Sequence, residues 1–304
     1  MPASDAPETT KPSPATSTPH VPEFAFDPTD PWTKTFQEGL EIANLTGKRV
    51  YEVGIGTGMN AVFLLKKLKA ARVSGSDLDP RLAELATKNV AELAPADTDR
   101  FHPILGPVSL IDTDAAQTEI AQTDVVIACL PQVTSPDDET FAAFRDAHDV
   151  DLGEGAQERS ADHIAHYYPW SIFNCLPFNS VGLGLNEALL RRVKKAAPQA
   201  ELILNFGARI PRATICAMFA ANGYAPRVLH SRIVKQDAGT DISFFVTLEK
   251  AMQGTGLEQD LVCAFFADPE GDTPISASDA HKLQEDDPDR PLYHEVCVIQ
   301  AKPS

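Results

Sequence analysis

The chain has 304 residues, 43% of them hydrophobic, enough for one large α/β domain or two small ones with a real core. A formal charge of −17 argues against nucleic acid or an anionic membrane as the main partner and suits a cytoplasmic protein kept soluble by an acidic surface. The five cysteines are scattered and never spaced as C-x-x-C, which reads as reduced thiols and not as a disulfide framework or zinc site.

No apolar run reaches membrane-spanning length, and the N-terminus lacks the basic-then-apolar order of a signal peptide. Residues 1–23, rich in Pro, Ser and Thr, read as a disordered tail. Order is expected from "FDPTDPWTKTFQEGL", where Trp32, Phe36 and Leu40 fall at helical spacing. "KRVYEVGI" reads as the first strand and "GMNAVFLLKKLKAA" as a helix with apolar residues at i, i+3 and i+4. "ARVSGSDLD" is a second strand, followed by the helix "PRLAELATKNVAEL" with Pro80 in its first turn. "RFHPILGP" is a third strand weakened by Pro103 and Pro107, and "TDVVIACL" is a buried fourth.

A long polar insertion occupies about 134–181. "NEALLRRVKKA" then reads as a helix, "AELILNFG" as a fifth strand, and "PRATICAMFAANGY" as a helix that Gly223 terminates. "PRVLHSRIVKQ" and "TDISFFVTLEK" flank the turn-like "DAGTD" and are expected to pair antiparallel. The alternation predicts an α/β fold: a doubly wound, Rossmann-like sheet with an antiparallel last strand. The main domain spans 24–250, and 251–304, with the apolar runs "LVCAFFA" and "LYHEVCVIQA", forms a small cap or extension. The chain contains no internal repeat.

The first strand-to-helix turn of such a sheet lies where a nucleotide-like ligand binds. Here it reads "EVGIGTGMN", with Gly54, Gly56 and Gly58 free to turn tightly and to admit a ligand without Cβ interference. A triphosphate loop needs Gly-Lys-Ser/Thr, which is missing. A dinucleotide's pyrophosphate is disfavoured by Glu52, two residues before the first glycine. A cation with hydroxyls fits better, and S-adenosylmethionine has a positive amine, a sulfonium and two ribose hydroxyls. Asp77 ends the second strand 19 residues beyond Gly58, where a carboxylate can accept both hydroxyls and Leu78 can pack on the adenine. The pair "E-x-G-x-G-x-G" and "G-x-D-x-D-P" resembles the class I methyltransferase pattern; otherwise Glu52 and Asp77 are merely strand-end carboxylates.

The fourth strand ends in "ACLPQV". Amino-methylating relatives carry Asn/Asp-Pro-Pro-aromatic here, whereas Cys129 takes the first place and Gln132 the last, which points away from amine or amide acceptors. "ACLPQV" resembles the Cys-Ile-Pro-Gln segment of plant methionine S-methyltransferases. "WTKTFQEGL" (Trp32 to Leu40), "GLGL" (Gly182 to Leu185), "NFGAR" (Asn205 to Arg209), "TDIS" (Thr240 to Ser243) and "GDTPI" (Gly271 to Ile275) resemble further segments of that family. The plant enzymes' long aminotransferase-like region has no counterpart here, and the length is similar to bacterial single-domain enzymes that start a route to dimethylsulfoniopropionate.

The resemblance implies S-adenosylmethionine as methyl donor, L-methionine as acceptor and S-methylmethionine as product, with 24–250 as the methyltransferase domain. Donor-site residues implied are Glu52, Gly54, Gly56, Thr57, Gly58, Asn60, Asp77, Leu78 and Cys129. Pro107 stands where an acidic residue near the adenine is expected, leaving the Val108 backbone to hold the ring. A thioether has no proton to lose, so no general base is expected, and the sequence offers no convincing Asp-His or Cys-His pair.

Acceptor-site residues implied are Phe36, Glu38, Cys129, Pro131, Gln132, Tyr168, Trp170, Asn205, Arg209 and Asp241. Phe36, Tyr167, Tyr168, Trp170 and Phe178 are candidate aromatic walls for a sulfonium, or, in the insertion, a small core holding a substrate lid down. Arg209 suits a carboxylate, or else an ion pair with a neighbour; Glu38 and Asp241 suit an ammonium, and Asn205 a hydrogen bond to the head group. His294 reads as structural, and no histidine spacing calls for a metal. Expected partners are the small-molecule substrate alone, with neither nucleic acid nor membrane, and with a homodimer left open. Another small thioether or amine, a protein glutamine, or a silent binding module are the alternatives.

Overall fold

The computed structural model describes residues 29–130, 173–237, 242–256, 258 and 261–304. The tail, most of the insertion and Asp241 lie outside them. Helix α1 (Pro31–Ala43) starts where its cap dictates: Asp30 accepts the Thr33 N–H at 2.8 Å, and Pro31 fills the first helical position. Strand β1 (Arg49–Val53), helix α2 (Met59–Lys66), strand β2 (Arg72–Asp77) and helix α3 (Pro80–Leu93) follow as the sequence predicts. Strand β3 (Phe101–Pro107) lies at the end of the strand order, where its two prolines are tolerated. Helix α4 (Asp114–Ile120) and strand β4 (Val125–Ala128) lead to the insertion, and helix α5 (Gly184–Ala196), strand β5 (Glu201–Gly207) and helix α6 (Arg212–Ala221) resume the alternation.

The C-terminal third departs from expectation. Strand β6 (Tyr224–Lys235) forms, but residues expected as its hairpin partner are helix α7 (Ser243–Met252). The run "DISFFVT" has strand composition, yet packing overrides it. Phe245 points inward against Phe265 at 5.8 Å, while Glu249 accepts the Ala277 and Ser278 N–H groups that open helix α8 (Ala277–Asp286). The short strands β7 (Phe265–Phe266) and β8 (Pro274–Ile275) pair with each other.

The true antiparallel partner of β6 is strand β9 (Tyr293–Pro303), which pairs with β5 on one side and β6 on the other. The run "LYHEVCVIQA" is therefore an interior strand and not a peripheral cap. Its fully buried apolar stretch Val296–Ile299 is what burial on both faces requires. Among the described residues the sheet has nine strands in the order β3-β2-β1-β4-β5-β9-β7-β8, with β6 beside β9.

Side chains alternate between two cores. Phe36, Leu40, Leu64, Val90, Ile203 and Val298 belong to the α1–α2–α3 face, and Tyr51, Leu189, Leu204, Phe219, Cys297 and Ile299 to the α4–α5–α6 face. Helix α1 comes so close to β9 that a Cβ on Gly39 would lie 2.6 Å from Val298. Because β9 is interior and Ile299 is fully buried, Ile299→Ala is expected to cost about 2–5 kcal/mol in urea unfolding. A loss well below about 1 kcal/mol would place the strand at the periphery.

Candidate active site

The carboxyl ends of β1, β2, β4 and β5 and the start of β9 meet along one edge of the sheet. At β1 the chain turns through three glycines with positive φ, 76° at Gly54, 53° at Gly56 and 77° at Gly58. Gly54 and Ile55 both donate to the Ser76 carbonyl, at 2.9 and 3.0 Å, which ties the turn to β2. Gly58 caps α2 where a Cβ would lie 2.7 Å from the Ala86 Cβ. A Cβ on Gly56 would meet nothing within 4 Å, so that side of the turn is open to a ligand. Asn89 donates to the Thr57 carbonyl at 2.9 Å and fixes the loop from α3.

Asp77 is buried at the end of β2 and clamps this turn. Its Oδ2 accepts the Gly56 N–H at 2.9 Å and its Oδ1 the Asp79 N–H at 3.0 Å. Leu78 is half-buried beside it. The Val108 backbone is expected to hold an adenine; its N–H donates to the Asp77 carbonyl at 2.8 Å, as strand pairing continues past β3. Val108 itself is buried.

Glu52 is 2% exposed. Its Oε1 accepts from Asn60 Nδ2 at 2.9 Å, while its Oε2 is buried without a hydrogen-bond partner. Burial pushes the carboxyl up to about 8, with Asp77 adding to the rise and Asn60 opposing it. The Oδ1 atoms of Asn60 and Asn205 are likewise buried and unpartnered. Partnerless acceptors around an open turn are what a bound cation would satisfy.

Beyond them the edge changes character. Cys129 follows β4; the residue is exposed as a whole while its thiol meets Asn205 Nδ2 at 3.5 Å. Enclosure by protein pushes the thiol up to about 11 against the Asn205 contact, and Asp30 and Glu52 add to the rise. Asp30 in turn begins α1, whose Trp32 ring lies against the backbone of Gly207. The Arg209 guanidinium is 5.8 Å from the Trp32 ring and 5.9 Å from Phe245, and its Nε donates to Gln236 Oε1 at 2.8 Å. His294, 1% exposed, has its ring 5.5 Å from Trp32.

Several expected site residues are placed elsewhere. Phe36 is part of the α1–α2–α3 core. Glu38 lies between α1 and β6, where its carboxylate accepts from Arg232 at 2.9 Å and sits 2.7 Å from His230 Nε2. Phe178 packs on the opposite core, and its N–H donates to Glu187. Pro131, Gln132, Tyr167, Tyr168, Trp170 and Asp241 lie outside the described residues. Trp32, Gln236 and His294 join the edge without having been marked as ligand groups. Trp32 opens the segment "WTKTFQEGL" but carries no charge to mark it, the neighbourhoods of Gln236 and His294 carry no motif, and the interior placement of β9 brings His294 there.

A carboxyl whose folded pKa is raised stabilises the fold below its unfolded value and loses that contribution as pH climbs through the folded one. Without ligand, the wild type is therefore expected to lose a few kcal/mol relative to Glu52→Gln between about pH 5 and pH 9 in urea titrations. Parallel pH profiles would show that the Glu52 carboxyl is not held in this buried state.

No family model matches the chain. Among curated proteins it is similar to methionine S-methyltransferase of Hordeum vulgare, 26% identical over 269 residues that cover 84% of this chain and 23% of that protein. The proteins of the same name from Zea mays and Arabidopsis thaliana are 26% and 25% identical, with the same shares covered. Solved structures of similar outline include a putative methyltransferase from Bacillus halodurans, at 9% identity and a TM-score of 0.46, covering 89% of this chain and 100% of that one. Another is a SAM-dependent methyltransferase from Geobacter sulfurreducens in complex with S-adenosyl-L-homocysteine, at 12% identity and a TM-score of 0.41, covering 88% and 90%. The chain is thus similar over most of its own length to methionine S-methyltransferases, of which it spans about a quarter.

Proposed function

We propose that this chain transfers the methyl group of S-adenosylmethionine to the thioether sulfur of L-methionine, giving S-methylmethionine and S-adenosylhomocysteine. The observation that carries the donor half is Glu52, a buried carboxyl with one partnerless oxygen beside an open glycine turn. The acceptor half draws its support from the name shared by the curated relatives. Entry into a route to dimethylsulfoniopropionate is part of the same proposal.

The donor would supply an electrophilic methyl carbon: the acceptor sulfur's lone pair forms the new bond, and the old carbon–sulfur bond breaks with its pair remaining on the departing thioether. No proton moves, so the protein's work is binding, alignment and exclusion of water. Glu52 Oε2 would face the donor's ammonium, and the Asp77 carboxylate its ribose hydroxyls. The Gly56 turn lets the backbone come close to the donor. Cys129 offers no thiolate near neutral pH, which keeps a competing nucleophile out of the transfer path. Arg209 would hold the acceptor's carboxylate, with the faces of Trp32 and Phe245 beside it.

Mass spectrometry of protein, S-adenosylmethionine and L-methionine is expected to detect S-methylmethionine and S-adenosylhomocysteine in equal amounts. Donor binding without methylated methionine would leave the donor half and remove the acceptor. Asp77→Ala is expected to weaken donor binding by about tenfold to a hundredfold, the scale of lost hydrogen bonds to a charged group, while L-methionine affinity in the S-adenosylhomocysteine-saturated protein stays near that of the wild type. Equal losses for both ligands would make Asp77 structural only.

A further inference from the structure

The ring nitrogens of His294 are both buried and both without a hydrogen-bond partner. This is unusual, since a buried imidazole ordinarily satisfies at least one nitrogen, and leaving a buried polar atom unmet costs about 1–3 kcal/mol. A histidine retained only to fill space against Trp32 could be replaced by phenylalanine without that cost. Its position is also particular. It lies near the start of β9, opposite Val234 of β6, at the edge where β5 ends in Gly207. Trp32 joins the two strands: its indole abuts Gly207 on one side and is tilted 53° to the His294 ring, with Arg209 5.8 Å from its centre.

The imidazole is neutral, because burial and the neighbouring Arg209 charge hold its pKa well below the usual histidine value. A neutral imidazole has one N–H to give, and the cation beside it sets the sign of what it can meet. An ammonium would be repelled by Arg209, whereas a carboxylate would be attracted by Arg209 and could accept the imidazole N–H. We propose that His294 is a specificity-determining residue of the acceptor subsite, its N–H joining the Arg209 guanidinium on the carboxylate of the incoming amino acid, with Trp32 as the shared wall. This rests on the acceptor reading above and adds a residue to it. Neutrality also suits the product, whose new sulfonium an imidazolium would repel.

Calorimetric titration of the full chain, saturated with S-adenosylhomocysteine, compares the wild type with two variants. His294→Phe keeps a ring on Trp32, and His294→Gln restores an N–H donor. His294→Phe is expected to weaken L-methionine about tenfold to a hundredfold, His294→Gln to recover part of that, and both to leave S-adenosylhomocysteine affinity unchanged. The decarboxylated analogue methylthiopropylamine should bind wild type and His294→Phe alike, and the deaminated analogue methylthiobutanoate should show the full loss. Unchanged L-methionine affinity in His294→Phe, or equal losses for the two analogues, overturns the proposal and leaves a core histidine satisfied by buried water. Wild type that binds S-adenosylhomocysteine but no L-methionine removes the acceptor reading and this proposal together. A variant without effect beside a competent wild type removes this proposal alone. If His294→Phe does not fold, the imidazole nitrogen NMR signals of wild-type His294, assigned through His294→Gln, should move on adding L-methionine, and unmoved signals overturn it.

Discussion

The position of β9 between β5 and β6 is the constraint on which both the fold and the site depend. An interior strand made from the last residues of the chain has no freedom of register, because a one-residue slip would exchange Val298 and Ile299 between the two cores. Its antiparallel direction places its first residues at the carboxyl ends of the parallel strands. His294 thereby arrives at the edge where Glu52, Cys129 and Arg209 end up, although it is far from each of them in sequence. Helix α1 is held by the same strand through the close approach at Gly39, and so Trp32 is positioned by β9 as well.

The edge that results holds a concentration of unsatisfied groups. Glu52 Oε2, the Oδ1 atoms of Asn60 and Asn205, and both nitrogens of His294 are buried without partners. At about 1–3 kcal/mol each, these are large beside a whole-domain stability of about 5–15 kcal/mol. On the proposed reading, a bound ligand would satisfy these groups, whereas Asn186 Nδ2, elsewhere in the fold, is unmatched in the same way. The raised pKa of Glu52 tells the same story, since its carboxyl waits for a cation in order to ionise.

Much of this edge was legible in the sequence. Strand β1, the glycine turn and Asp77 follow from local rules: an apolar run, positive-φ residues, and a carboxylate at a strand end. Glu52 could be marked because a carboxylate beside such a turn selects the charge of its ligand. The rest depends on pairing between distant segments. "TDISFFVTLEK" has the composition of a strand, and only the packing of Phe245 on Phe265 and the capping of α8 by Glu249 make it a helix. Resemblance singles out Glu38, but an ion partner on β6 claims it; Phe36 suits a sulfonium wall as an aromatic and lies in the core. His294 was read as structural because its neighbours in sequence carry no chemistry, and its neighbours in space come from α1 and the Arg209 loop.

The polar groups along the edge are also sorted by kind. Toward β1 and β2 they accept, through Glu52, Asp77 and the Asn60 oxygen, and the Asn205 oxygen on β5 is a further acceptor. Past it, the Arg209 guanidinium and the neutral imidazole of β9 donate, with the Trp32 face between. On the proposed reading this order suits the movement of positive charge. The donor's cationic centre starts nearer the carboxylates and the new sulfonium forms farther from them, toward a guanidinium. Attraction from Glu52 thus favours the reactant arrangement over the product, a cost to the transfer step. The same asymmetry weakens the hold on a methylated product carrying an extra positive charge, which aids its departure once the bond is made.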